Sequence, residues 1–217
     1  MRWLTNEQKT LGKLPPTELI TPIPDERRRE ILRQTLATAP EPSRIRVFAY
    51  GSLIWSPCFD VVEQQRATLH DFHRGFSIWS VIARGTPQQP GLGFALEEKQ
   101  GGACVGVVFT LPEGTGEEEL WPLWEREMWT DTYTPTWVKV DADGSDLSAL
   151  TFVVSPDHFQ YAGDLPPEEK AKYIVKASGR YGTCYDYLAD TVMALREQGF
   201  QDPDVEELFT AVQALRN

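Results

Sequence analysis

Apolar and polar residues alternate through the first long stretch of this chain, and the spacing then changes to threes and fours. Alternation of Val, Ile and aromatic residues, broken by Gly and Pro, predicts strands over Arg44–Tyr50, Arg66–Leu69, Gly75–Ala83, Leu92–Leu96 and Ala103–Leu111. A helix is predicted from about Gly116 to about Trp129, with Glu117, Glu118 and Glu119 in the first turn, where the helix dipole favours anions. The tetrapeptide Asp141-Ala142-Asp143-Gly144 then separates two strand-like runs, Thr136–Val140 and Ala149–Val154, as a hairpin. Helical spacing returns over Pro167–Ser178, Tyr185–Gln198 and Asp204–Leu215, each punctuated by Gly or Pro. Ahead of the first strand, Asp25 is expected to cap a short amphipathic helix ending near Ala37. Pro15-Pro16 and Pro22/Pro24 precede it and the linker Ala39–Ser43 follows. The chain thus divides into an N-terminal extension and linker over 1–43 and one domain over 44–217. Strands first and helices mostly later define an α+β domain, a small curled sheet or barrel with helices packed around it. No βαβα alternation and no glycine-rich phosphate loop occurs, which argues against a nucleotide-binding fold.

Composition narrows the function classes. The 217 residues are 41% hydrophobic and 24% charged, ordinary values for a folded globular chain. The net charge of −11 argues against nucleic acid or an anionic membrane surface as partner, since both need a basic footprint. No apolar run approaches the ~20 residues that span a bilayer. The N-terminus lacks the uninterrupted apolar core of a signal peptide. Arg27-Arg28-Arg29 sits among Asp25, Glu26 and Glu30 and reads as a solvated helix face. Cys58, Cys104 and Cys184 are odd in number and widely spaced, with neither disulfide nor zinc spacing. They point to a reducing compartment, the cytoplasm. None has a neighbouring base signature. His70 and His73 fall on opposite faces of a strand, and the Asp141–Asp146 loop lacks the closing glutamate of a calcium loop, so no metal site is assigned. The pattern sets no oligomeric state.

Four places could carry chemistry. Leu120, Leu123 and Trp124 precede Glu127 by seven, four and three residues, so one helix face carries all four. A carboxylate in that apolar line is either a base raised in pKa by burial, or an ion-pair partner of Arg84 or Arg126. The run Val47-Phe48-Ala49-Tyr50-Gly51-Ser52-Leu53 takes an apolar strand into a sharp turn. It is either an ordinary turn or a cradle of backbone N–H groups for an oxyanion. Arg84 opens the polar loop Arg84–Gly91, as a fork for a carboxylate or as part of a rigid solvent loop. Tyr187 follows the glycine-rich turn Gly179–Cys184, with its hydroxyl in a site or its ring in packing.

Taken together, these words resemble the ChaC-type γ-glutamylcyclotransferases, which act on glutathione. The matching stretches are Phe48–Trp55, Ser80–Gly91 with its Arg-Gly-Thr-Pro, Leu123–Met128 and Gly179–Leu188, within about 45–215 and in the family's order. The resemblance implies the γ-glutamylcyclotransferase fold, a mixed sheet curled into a small barrel with flanking helices. It implies Glu127 as catalytic acid/base and the turn Tyr50, Gly51, Ser52 and Leu53 as substrate cradle. Arg84 and Tyr187 match further family positions as substrate-binding residues. Some relatives carry asparagine where this chain has Cys184. The implied reaction closes the γ-glutamyl unit on itself to give 5-oxoproline and cysteinylglycine from a small-molecule substrate, glutathione, with no cofactor and no metal. Other γ-glutamyl amino acids or amines, a hydrolase using the same carboxylate, and a non-catalytic regulatory protein of the same fold are the competing readings.

Overall fold

The computed structural model describes residues 14, 17, 20–163 and 165–216. They fall into two compact units, one built on Thr21–His73 and Glu98–Val154, the other on 74–97 and the described residues from 155 onward.

Five strands, with most of their residues in the first unit, close a barrel in the order β1-β3-β2-β4-β5. Strand β1 (Arg46–Ala49) is buried at all four positions, so both of its faces are covered. It pairs antiparallel with β3 (Gly91–Thr110), matching Arg46 with Thr110, and parallel with β5 (Ser145–Val154), Val47 facing Leu150. The β1–β5 pair makes the sheet mixed. Strand β4 (Tyr133–Ala142) meets β5 through a two-residue loop, with Ala142 opposite Ser145. Asp143 and Gly144 take φ of 51° and 82° in that loop. Positive φ at both positions matches the right-handed twist of the flanking strands, so the Asp-Gly signal in the sequence is used as expected.

The four short strands expected between residues 66 and 111 are two long ones, β2 (Glu63–Ser80) and β3. The polar stretch His70–Arg74 interrupts the alternation without ending the strand. Asp71 adopts φ of 61° and its Oδ1 accepts a 2.8 Å bond from the N–H of Gly101 on β3. A local kink is thereby absorbed within the pairing, which single-strand periodicity does not register.

Helix α1 (Asp25–Ala37) has the expected length, but Asp25 lies inside its first turn, and Pro24 holds the cap position without a side-chain bond. The solvated basic face is a correction: Arg28 is buried, and the Arg28 and Arg29 guanidinium groups lie 5.3 and 4.2 Å from the ring centre of Trp121 on α2 (Glu117–Glu127). Arg29 also pairs with Glu117 and Glu118 at 3.1 and 2.8 Å. Arginine side chains cover apolar surface with their stems and stack their planar heads, so charge density alone misjudged their exposure. Helix α2 starts with Glu119 Oε2 accepting from the N–H of Gly116, which draws the Glu119 carboxyl below its usual range, and it stops at Glu127, two residues before the expected end.

In the second unit α3 (Pro167–Ile174), α4 (Cys184–Glu197) and α5 (Pro203–Arg216) follow the predicted helical pattern, with α3 ending four residues early. The strands β6 (Ser178–Gly179) and β7 (Gly182–Thr183) take up the glycine-rich turn between α3 and α4. No helix among the described residues is long and apolar enough to cross a membrane.

Candidate active site

Helix α2 buries Leu120, Leu123 and Trp124 completely, and the Trp124 ring packs edge-on against Phe152 of β5 at 5.5 Å. Removing such a ring from a core costs about 3–5 kcal/mol, so the last turn of the helix is firmly anchored. Glu127 extends the same face as the final helical residue, and its side chain keeps only 16% exposure. Burial pushes its carboxyl above the ordinary 4.5, and the neighbouring Arg126 opposes part of that rise. The negative end of the helix dipole acts in the same direction as burial. The result is a carboxylate that holds a proton more readily than an exposed one, as a group that takes and returns protons must. Of the two readings of Glu127, the structure contains elements of both: it is largely removed from solvent, and Arg126 Nε lies 3.3 Å from its Oε1.

Beyond β1, Tyr50 is buried and donates its hydroxyl to the Phe152 carbonyl at 2.9 Å, so its ring fixes the turn to β5. Thr151 Oγ donates to the carbonyl of Phe48 at 3.1 Å and tightens the same junction. Ser52–Ile54 form a single 3-10 turn, closed by Ile54 N–H donating to Gly51 O and Ser56 N–H to Ser52 O, both at 2.9 Å. The N–H groups of Ser52 and Leu53 open that turn and meet no acceptor among the described residues. First-turn donors of this kind are what an oxyanion requires. Leu53 itself is buried and anchors the turn.

Arg126 joins these two pieces. Its Nη1 donates to the Ser56 carbonyl at 2.5 Å and its Nη2 to Ser52 Oγ at 2.7 Å, while Nε faces Glu127. The half-buried Cys58 thiol lies near the same pair: burial pushes it up, Arg126 opposes and Glu127 adds. Sequence reasoning named Arg126 only as a possible partner for Glu127. Adjacent helical residues point about 100° apart, so facial periodicity gives no hint that Arg126 reaches back to the same place.

Arg84 and Tyr187 belong to the second unit. The Arg84 guanidinium lies 5.0 Å from the Tyr187 ring centre and donates from Nη1 to the Tyr181 carbonyl at 2.6 Å. It forms no ion pair among the described residues. Tyr187 packs against Phe76 and Phe94, with ring centres 5.9 and 5.7 Å away. The 84–91 loop is built by close backbone approach. Arg180 and Tyr181 donate N–H bonds to Ile82 and Ala83, and a Cβ on Gly179 would lie 2.5 Å from both Gly85 N and Ile82 O. Cys184, where some relatives have asparagine, is fully buried and satisfies the Leu92 backbone in both directions, Sγ donating at 3.2 Å and accepting at 3.3 Å. Those are the two bonds a side-chain amide could make there. Sequence reasoning also passed over Glu97, whose carboxylate accepts from the hydroxyls of Ser77 and Tyr161. It opens the charged run Glu97-Glu98-Lys99, just past the strand expected to end at Leu96. No cluster of three or more His, Cys, Asp or Glu side chains converges as a metal site among the described residues.

The barrel with flanking helices is the γ-glutamylcyclotransferase fold. A γ-glutamylcyclotransferase specific to glutathione from yeast superposes with a TM-score of 0.73 at 23% identity, over 79% of this chain and 96% of that one. The sequence model of the ChaC-like proteins matches residues 45–215, and the chain belongs to that family. The glutathione-specific γ-glutamylcyclotransferase of Escherichia coli (strain K12) is 39% identical over 191 residues, 88% of this chain and 82% of that protein. γ-Glutamylcyclotransferase 2-3 of Arabidopsis thaliana is 34% identical over 173 residues, 76% of this chain and 87% of that protein.

Proposed function

We propose that this protein is a glutathione-specific γ-glutamylcyclotransferase, releasing 5-oxoproline and cysteinylglycine. Family membership over 45–215 and the 39% identity to the enzyme of Escherichia coli (strain K12) support the activity. The observation that carries the mechanism is Glu127, a buried carboxylate of raised pKa at the end of α2, tied through Arg126 to the Ser52 turn.

The substrate brings its own nucleophile. The γ-glutamyl α-amine attacks the side-chain carbonyl carbon of the same residue, forming the ring C–N bond. The C–N bond to cysteine then breaks. Intramolecular attack supplies an effective concentration that a two-molecule reaction must obtain by positioning. The ammonium loses two protons in becoming the lactam N–H, and Glu127 carries each in turn to the departing nitrogen, which leaves as the ammonium of cysteinylglycine, so the carboxylate is regenerated. The N–H groups of Ser52 and Leu53 receive the charge that develops on the carbonyl oxygen, with Tyr50 and Gly51 holding the turn in shape. Arg84 and Tyr187 are assigned to substrate binding. A guanidinium without an ion-pair partner among the described residues suits an anionic substrate in a chain of net charge −11. We assign the catalytic domain to 44–217, and the three free cysteines favour a reducing compartment, the cytoplasm, as its place of action.

The experiment compares glutathione, glutathione acylated on its α-amine, and α-linked Glu-Cys-Gly, identifying the products of each. Only the first should yield 5-oxoproline and cysteinylglycine, because an acylated nitrogen has lost its nucleophilic lone pair to resonance and, in the α-linked peptide, attack on the scissile carbonyl would close a strained three-membered ring. Release of cysteinylglycine from the acylated compound near the parent rate would move the protein to the hydrolases.

A further inference from the structure

We infer that Arg126 is a positioning residue that clamps the Ser52–Ser56 turn to the end of α2, fixing the oxyanion-binding N–H groups relative to the Glu127 carboxylate. The inference rests on the reading of Glu127 as the base and of the turn as the cradle, and it assigns how the two are kept in register.

Three contacts carry it, each from a different nitrogen of one planar group. Nη1 holds the Ser56 carbonyl at 2.5 Å, Nη2 holds Ser52 Oγ at 2.7 Å, and Nε lies 3.3 Å from Glu127 Oε1. The turn and the helix lie about seventy residues apart in sequence, and both side-chain bonds span that separation. The Arg126 side chain keeps 29% exposure, so its charge is partly desolvated and its bonds are worth more than those of a free surface arginine. The fork is rigid, and three acceptors in fixed directions leave it one orientation. A lysine in its place offers one point charge on a flexible stem and cannot hold both turn acceptors while facing the carboxylate.

The same geometry gives Arg126 a second, separable effect. The charged or titratable groups that face Glu127 are the Arg126 guanidinium and the Cys58 thiol. Of these, Arg126 draws the carboxyl down against burial. Removing the positive charge therefore moves the acid limb of the rate profile to higher pH. Removing only the fork leaves that limb in place and lowers turnover.

The test uses the full chain with Arg126→Lys, Arg126→Met, Ser52→Ala and the Arg126→Met/Ser52→Ala double variant. Each is measured for kcat and KM on glutathione across pH, with melting followed by circular dichroism. Arg126→Lys should lose about ten- to a hundredfold in kcat, the scale of a roughly 1 Å misplacement of reacting groups, with its acid limb unmoved. Arg126→Met should lose more and shift the limb upward. Ser52→Ala should cost little once Arg126 is already absent, because the two share one bond. Arg126→Lys with kcat within about twofold of the parent, or fully multiplicative effects of Ser52→Ala and Arg126→Met, would overturn the clamp. Should Arg126→Met fail to fold, Arg126→Lys and its pH profile decide alone. Glu127→Gln is run in parallel: an active Glu127→Gln protein sinks the underlying reading, whereas an inactive one beside fully active Arg126 variants sinks only the clamp.

Discussion

At the end of α2 every arm of the Arg126 guanidinium has a partner, and the adjacent carboxylate is buried beside it. In the second unit the Arg84 guanidinium has a single side-chain-to-backbone bond, to Tyr181 O, and the face of Tyr187, with no ion pair among the described residues. The first arrangement spends its cation internally, on holding a turn and tempering a buried acid. The second leaves its cation's charge without a carboxylate. Two arginines in one acidic chain are thus fitted to different tasks, and the difference lies in what surrounds each rather than in the residue type. Support also differs. Around Glu127 it comes from buried rings and aliphatic side chains, and around Arg84 from glycines that let backbone strands approach within contact distance.

The strongest way to break this contrast is Glu127→Gln. The amide keeps the shape and cannot take a proton, so kcat should fall on the order of 10²–10⁴-fold while the fold and glutathione binding persist. Single-turnover product formation beside calorimetric binding reads both, and activity within tenfold of the parent removes Glu127 from the mechanism.

Arg84→Ala should act on KM more than on kcat, raising it about tenfold, the equivalent of about 1.4 kcal/mol. An unchanged KM would return Arg84 to the structure of its loop. Gly179→Ala probes the backbone side of the comparison. Its Cβ would meet Gly85 N and Ile82 O at 2.5 Å, and backbone atoms yield less readily than a flexible side chain. A loss of about 1–3 kcal/mol in urea unfolding is expected, and a neutral result would mean the loop opens freely.

The Glu127 carboxyl sharpens the contrast through pH. Its folded-state value is raised above 4.5 by burial, so kcat/KM should rise with pH through a limb lying above that value. The stability term has the matching sign: it is fully present below the unfolded value and lost as pH rises through the folded one. Glu127→Gln should flatten that stretch of the stability profile, and a profile unchanged by the substitution would contradict the burial. The smallest effect concerns Cys184, whose thiol burial pushes up to about 12. It should resist iodoacetamide at pH 8 in the folded protein and react once the protein is unfolded, as mass spectrometry of the labelled chain would register.

Element types were largely legible in the sequence, because side-chain periodicity reports directly which face of a strand or helix is buried. The Asp-Gly hairpin, the apolar line from Leu120 to Glu127 and the three late helices followed from spacing and turn chemistry alone. The continuity of β2 and β3 was not legible, since a polar, kinked stretch such as His70–Arg74 stays in a strand only when a partner strand supplies its bonds. Nor was the burial of Arg28, which needed Trp121 from another helix.

The sequence by itself determined the class of fold and, through words that resemble a known family, the residues on which chemistry could rest. It determined that Glu127 lies in line with Leu123 and Trp124, since helical geometry is local. Only the tertiary structure decided that Arg126 reaches Ser52 and Ser56, that the Tyr50 hydroxyl is taken by Phe152, and that Cys184 answers both backbone groups of Leu92. Each of those contacts joins segments far apart in the chain. Periodicity records which way a side chain faces, and a partner on a distant segment is fixed only when the barrel closes and the helices dock.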